Sequence, residues 1–338
     1  MTETLAPLMF AGLVAFLLLG YPVAFALAAN GLLFAGIGIA VGGFDAALLA
    51  ALPERVYGIV ANPTLLAIPF FAFMGLILER SGMAEELLDT VGQLFGALRG
   101  GLAYAVILVG GLLAASTGVV AATVIAMGLI SLPVMLRYGY DKRLASGVIA
   151  ASGTLAQIIP PSIVLIVLAD QLGASVGDMY RGALLPGLGL VVLYLLFVFV
   201  LTLFRPQIAP AMPASARTLA GTALLARVLT TLVPPLEIPR CLGWCCLLTT
   251  LVPPLVLIFL VLGTIFLGVA TPTEGGAMGA AGALLLAWSR GRLSRLQLVQ
   301  AMDSTTKLTT FVIFILIGST VFTLVFRGLD GDVWVEHL

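Results

Sequence analysis

Four short stretches of this sequence set hydroxyl, amide or carboxylate side chains beside glycine or proline within largely apolar surroundings. They are Asn62-Pro63-Thr64, Ser116-Thr117-Gly118, Pro160-Pro161-Ser162 and Thr271-Pro272-Thr273-Glu274. Proline removes a backbone donor and disfavours helix at the residue before it, so such stretches leave carbonyls without helical partners. In hydrocarbon, broken backbone is tolerated only where protein or a cavity satisfies it. Unwound carbonyls can coordinate a sodium ion, and the N-terminal end of a resumed helix attracts a carboxylate. The chemistry on offer is reversible binding of small ions.

Each stretch also has a plainer reading. Ser116-Thr117-Gly118 could be packing glue between helices. Pro160-Pro161 cannot be a simple kink in a continuous helix. Glu274 is the sharpest case, because a carboxylate near mid-bilayer costs about 2.5–3.5 kcal/mol on insertion scales. Alternatively it sits at a hairpin tip that reaches water, where it is solvated or caps a helix start. Chemistry of bond breaking has little to work with. No HExxH, P-loop or Gly-x-Ser-x-Gly pattern occurs. The single histidine is His337, and Cys241, Cys245 and Cys246 have no second Cys/His cluster to complete a metal site. The chain is therefore expected to be no enzyme and to hold no cofactor. A net charge of zero argues against a nucleic-acid partner.

These residues must be positioned by membrane helices. The chain is 61% hydrophobic and 9% charged, with a mean hydropathy of +1.18, where soluble domains carry roughly 25% charged residues. Apolar runs fall near 5–42, 49–60, 64–78, 101–136, 143–169, 183–204, 249–269, 275–288 and 308–326. The first is read as a retained helix, since Met1-Thr2-Glu3 offers no basic leader. Between 82 and 99, Met83, Leu87, Leu88, Val91, Leu94, Phe95 and Leu98 share a face opposite Glu85, Glu86, Asp89 and Gln93. That pattern predicts an amphipathic helix lying in the membrane interface. Basic residues gather in three loops, around Arg137–Arg143, Arg205–Arg227 and Arg290–Arg295, while 170–181 is net negative. The positive-inside rule makes the three basic loops cytoplasmic.

Two patterns concern the whole chain. Asn62-Pro63-Thr64 is faintly echoed by Thr271-Pro272-Thr273, each at a junction of short apolar segments. Paired interruptions of this kind point to a transporter binding site, and the flanking charges set the two hairpins on opposite sides, as an inverted repeat requires. The octapeptide LTTLVPPL occurs at Leu229–Leu236 and again at Leu248–Leu255, enclosing the cysteines; it reads as a local duplication or insertion without function.

The stretches LLAIPFFAFMGLILERSG, LLAASTGVVAATVIAMGLISLP, RYGYDKRLASGVIAASGTLAQIIPPSIVLIV and LGVATPTEGGAMGA resemble the large membrane subunit of TRAP transporters, the tripartite ATP-independent periplasmic family. ASTGVV and VLADQLGASVGD are most similar to the branch associated with keto acids and other organic acids. The resemblance implies an all-α, polytopic fold of two inverted repeats with re-entrant hairpins and broken helices, working as an elevator in the bacterial inner membrane. It implies sodium-coupled uptake of an organic acid, such as a dicarboxylate, delivered by a periplasmic binding protein, with a small membrane subunit as third partner. Sodium and substrate would then bind around Ser116, Thr117, Gly118, Pro160, Pro161, Ser162 and Thr271 to Glu274, with Asn62, Pro63 and Thr64 at the first hairpin.

The expected organisation is a first repeat over 1–204 with a hairpin near 49–78 and the interfacial helix 82–99. A cytoplasmic linker at 205–248 follows, then a partial second repeat over 249–338 with its hairpin tip at 271–276. Judged by pseudo-symmetry, that second repeat is roughly 75 residues short. Two other readings follow: a stand-alone ion-coupled carrier or antiporter of the same broken-helix design, and a truncated, non-transporting copy.

Overall fold

The computed structural model describes residues 4–82, 98–117, 120–213 and 252–336, together with 87, 88, 91, 92, 95 and 96. The described chain is helical: α1 (Leu5–Leu18), α2 (Val23–Val41), α3 (Leu52–Val60), α4 (Ala67–Arg80), α5 (Gly101–Thr117), α6 (Val120–Arg137), α7 (Lys142–Thr154), α8 (Ile163–Leu172), α9 (Val176–Phe204), α10 (Val252–Phe266), α11 (Pro272–Ser289), α12 (Arg295–Gly328) and α13 (Gly331–Glu336). Short 3-10 segments precede α3 (Ala46–Ala51) and follow α7 (Leu155–Gln157).

Helices α2, α9 and α12, of 19, 29 and 34 residues, are long and apolar enough to cross a membrane. At 1.5 Å per residue, α9 extends about 43 Å, more than the roughly 30 Å of hydrocarbon. Its Leu185, Leu188, Val192, Leu196, Phe197 and Phe204 are all exposed. So continuous an apolar surface is stable against lipid rather than water. The protein is an all-α, polytopic membrane protein.

The chain divides into two compact units, Met1–Pro63 with Thr306–Leu338, and Thr64–Thr305. In the first unit the apolar run 5–42 is not one helix. Gly20, at φ +80°, and Pro22 separate α1 from α2. Asn30 bridges the pair, donating from Nδ2 to the Met9 carbonyl at 2.9 Å while wholly buried. Small residues bring α2 and α12 backbone to backbone: a Cβ at Gly31 would lie 3.2 Å from Phe322 N, and one at Gly318 would strike the Ala24 carbonyl. Close approach through glycine is the usual way membrane helices gain packing energy.

The second unit holds the breaks. Its main core joins α5, α6, α7 and α9 through Val106, Ile107, Met127, Ile149 and Val198. Leu87 and Leu88 are buried in the same cluster. Of the apolar face of the 82–99 stretch, Leu87 and Leu88 therefore pack on protein, while Leu98 is exposed. The linker from 214, the cysteines and the first LTTLVPPL copy lie outside the described residues. The second copy supplies Val252-Pro253-Pro254, which opens α10, a place where prolines cost no helical hydrogen bond.

Candidate functional site

The interruption at Pro160-Pro161 can be located along α9. Helix α7 ends at Thr154, the chain makes a single 3-10 turn, and Pro160-Pro161 carries it to Ser162, where α8 begins. The Pro160-Pro161 peptide is cis. Ser162 has 0% exposure and closes the break locally. Its hydroxyl donates to the Gln157 carbonyl at 2.8 Å and accepts the Leu165 N–H at 3.5 Å as the N-cap of α8. Pro160 and Pro161 are buried, whereas Thr154 and Gln157 face outward. The position is internal: a Cβ at Gly187 of α9 would meet Ile159 Cγ1 at 3.1 Å. Gly187 lies eleven residues into α9, so the break stands about 17 Å along a helix of about 43 Å.

Helix α5 packs against this break. A Cβ on Gly110 would lie 2.7 Å from Ser152 Cβ, and one on Gly111 3.8 Å from Leu155. Ser116 and Thr117 end α5, and α6 then returns, since the Leu102 N–H at the start of α5 donates to Tyr140 Oη just after α6. Helices α5 and α6 of the apolar run 101–136 therefore run antiparallel; Gly118 lies outside the described residues.

From the other two stretches, Thr64 and Pro272 line a cavity of about 370 Å3, together with Asp170, Ser175, Gly177 and Gly268 among others. Asn62 and Pro63 close the first unit while Thr64 opens the second. Here the structure corrects the expected hairpin tip at 271–276. The turn is 267–271, and Pro272 to Gly276 are already helix. Thr271 caps α11: its hydroxyl accepts the Glu274 N–H at 3.3 Å, while Glu274 Oε2 accepts the Thr271 N–H at 2.8 Å and its hydroxyl proton at 2.9 Å. Thr-x-x-Glu is a capping box, with proline at the first helical position. Gly275 and Gly276 do not unwind the chain. They admit neighbours, a Cβ on Gly276 falling 3.0 Å from Phe70 Cβ and one on Gly275 2.8 Å from Ile265.

That packing also fixes direction. Gly276 meets Phe70, Gly279 meets Met74, and Arg292 Nη1 reaches the Ser81 carbonyl at 3.4 Å, so α4 and α11 run parallel. Thr64 and Pro272 lie on one cavity. The two junctions are thus not the oppositely oriented pair expected from the flanking charges; both open at the same end of the unit. Contacts between close-packed glycines and phenylalanines set this orientation, and loop charge does not record it.

The cavity and the break are distinct places. Ala169 lines the cavity and Ser162 begins the same helix, a separation of about 10 Å along α8. Asp170 is the charged residue among the cavity's lining, which favours a cation over a free carboxylate. Arg181, not singled out from the sequence, ties the cavity's rim together: it donates to the Phe266 carbonyl at the end of α10 and pairs with Asp178 at 3.4 Å. Asp170 and Ser175 were equally unmarked, visible only as an acidic loop. The α8 N-terminus presents partial positive charge at the break.

The decisive comparison is with known families. The chain matches the family described as "Tripartite ATP-independent periplasmic transporter, DctM component" over residues 10–338. The chain belongs to this DctM family. Among relatives, it is 32% identical over 261 residues to the C4-dicarboxylate TRAP transporter large permease protein DctM of Pseudomonas aeruginosa, covering 77% of this chain and 55% of that protein. It is 30% identical over 277 residues to the protein of the same description from Vibrio cholerae, covering 81% and 53%. To the ectoine TRAP transporter large permease protein TeaC of Halomonas elongata it is 27% identical over 311 residues, covering 92% and 66%. The chain spans about half the length of the C4-dicarboxylate DctM relatives. As a DctM-family chain it is a membrane protein whose named relatives are transporter permeases.

Proposed function

We propose that this chain is the permease part of a TRAP-type secondary transporter, non-enzymatic, that takes up an organic acid across the bacterial inner membrane. The observation that carries the proposal is the broken helix Leu155–Ser162, held at the level of Gly187 inside a helix long enough to span the membrane. A break at that depth places backbone carbonyls and a half-helix N-terminus where neither is needed for stability, which is the design of ion-coupled carriers. In this reading sodium is coordinated near Ser116, Thr117 and the break, and the substrate carboxylate faces the N-terminus of α8. The acid arrives from a periplasmic binding protein, a small membrane subunit completes the assembly, and the movement is of the elevator type.

The relatives are named for C4-dicarboxylates and for ectoine, so a small carboxylate is the substrate class and its identity is left to uptake. Reconstitution in liposomes with the binding protein and small subunit of the same genome tests this. Uptake of labelled succinate or ectoine should require an inward sodium gradient and the binding protein together. Uptake by the chain alone would favour a stand-alone carrier, and sodium-independent uptake would remove the coupling.

A further inference from the structure

We propose that the groove between α7 and α9 binds an anionic phospholipid of the cytoplasmic leaflet. The groove has a volume of about 450 Å3, and its lining shares no residue with the break at Leu155–Ser162 or with the cavity beside Asp170. Its walls are apolar, with Leu144 and Ala151 on α7 and Phe197 and Leu201 on α9. At one end stand Arg143 and Arg205, both exposed. Because α7 begins where α9 ends, both guanidiniums sit at the same mouth, and the apolar floor runs inward from them for about 12 Å, the rise from residue 143 to 151.

The chemistry of this arrangement is that of a lipid and of little else. Two arginines suit a phosphate, which they hold through paired, charge-assisted hydrogen bonds. The third charged group at the mouth, Asp141, does not oppose this. Its Oδ1 accepts the N–H groups of Arg143 at 2.8 Å and Leu144 at 3.3 Å, so its charge is directed at the start of α7. A free phosphate would use the arginines and leave the floor empty, whereas a neutral acyl chain would use the floor and leave the arginines. Arg143 and Arg205 belong to two of the basic loops that the positive-inside rule makes cytoplasmic. Basic pockets between membrane helices on that side are suited to anionic headgroups.

Delipidated protein in detergent is titrated with phosphatidylglycerol, with phosphatidylcholine and with inorganic phosphate. Thermal shift and native mass spectrometry provide the readouts. Phosphatidylglycerol should stabilise the protein and remain bound in the mass spectrum, while the other two should do neither. Arg143→Gln with Arg205→Gln should weaken phosphatidylglycerol binding by about tenfold or more. Gly147→Trp should weaken it with both arginines intact, since a side chain at Gly147 meets nothing within 4 Å and fills the groove. Arg137→Gln, outside the lining, should bind as the parent does, and all variants are compared for elution and helical circular dichroism. Equal binding of phosphatidylcholine, an equal shift with phosphate alone, unchanged affinity in the Gln and Trp variants, or an equal loss in Arg137→Gln would each overturn the proposal.

Discussion

At the scale of residues, the polar groups that first looked like ligands divide by what holds them. Ser162 and Thr271 are each the N-cap of a helix, and Glu274 completes a reciprocal box with Thr271. Such roles do not exclude ion binding, but they predict measurable structural costs. Thr271→Ala should lower stability by about 1 kcal/mol, the usual cost of removing an N-cap. Glu274→Ala should also destabilise, and the double variant should lose less than the sum of the two, because both remove the same box. Thermal unfolding of the four purified proteins checks this; strict additivity would show that the two side chains act separately. Ser162→Ala should cost about 1–2 kcal/mol, since it takes the donor from the Gln157 carbonyl as well as removing the cap.

At the scale of elements, the contact that orients the second unit is α4 against α11. Phe70, Phe71 and Met74 press into the surface left by Gly276 and Gly279. Gly276→Ala should destabilise by about 1–3 kcal/mol through overpacking, measured by thermal unfolding, whereas Gly147→Ala, with open space around it, should change stability far less. The far end of α4 is fastened by polar groups. Arg80 donates to Gln300 Oε1 at 2.8 Å and to Ser304 Oγ at 2.9 Å, and Gln297 donates to the Arg80 carbonyl at 3.1 Å. Arg80→Ala should raise amide hydrogen exchange in the first turns of α12 while leaving α5 and α7 protected. Uniform loss of protection would mean that the fastening is global.

At the scale of the molecule, composition and charge make a statement about sides. The cavity end of α9 carries Asp178, with Asp170 at the adjoining end of α8, and its other end carries Arg205. With Cys241, Cys245 and Cys246 replaced by serine, a cysteine at exposed Ser175 should react with a membrane-impermeant maleimide from outside intact cells. One at Lys142 should react only after the membrane is opened. The reverse pattern would invert the topology and place the arginines of the α7–α9 groove outside.

What the sequence by itself determined was local. Composition made the chain a membrane protein and Pro160-Pro161 stopped a helix where it stands, while the loop charges give the expected cytoplasmic ends that maleimide labelling tests. Each follows from a property of one residue or one loop: hydrocarbon does not solvate charge, and proline has no N–H to give. Even the Thr271–Glu274 box was legible as one of two readings of Glu274. The tertiary structure alone decided which interruptions meet. It packed Gly111 of α5 against the break at Leu155–Ser162, set Thr64 and Pro272 on one cavity, and made α4 and α11 parallel where an opposed pair had been expected. Helices apolar all round carry no stripe that says which side faces a neighbour. Their partners are chosen by shape, glycine against phenylalanine or methionine, and shape exists only once both helices are in place.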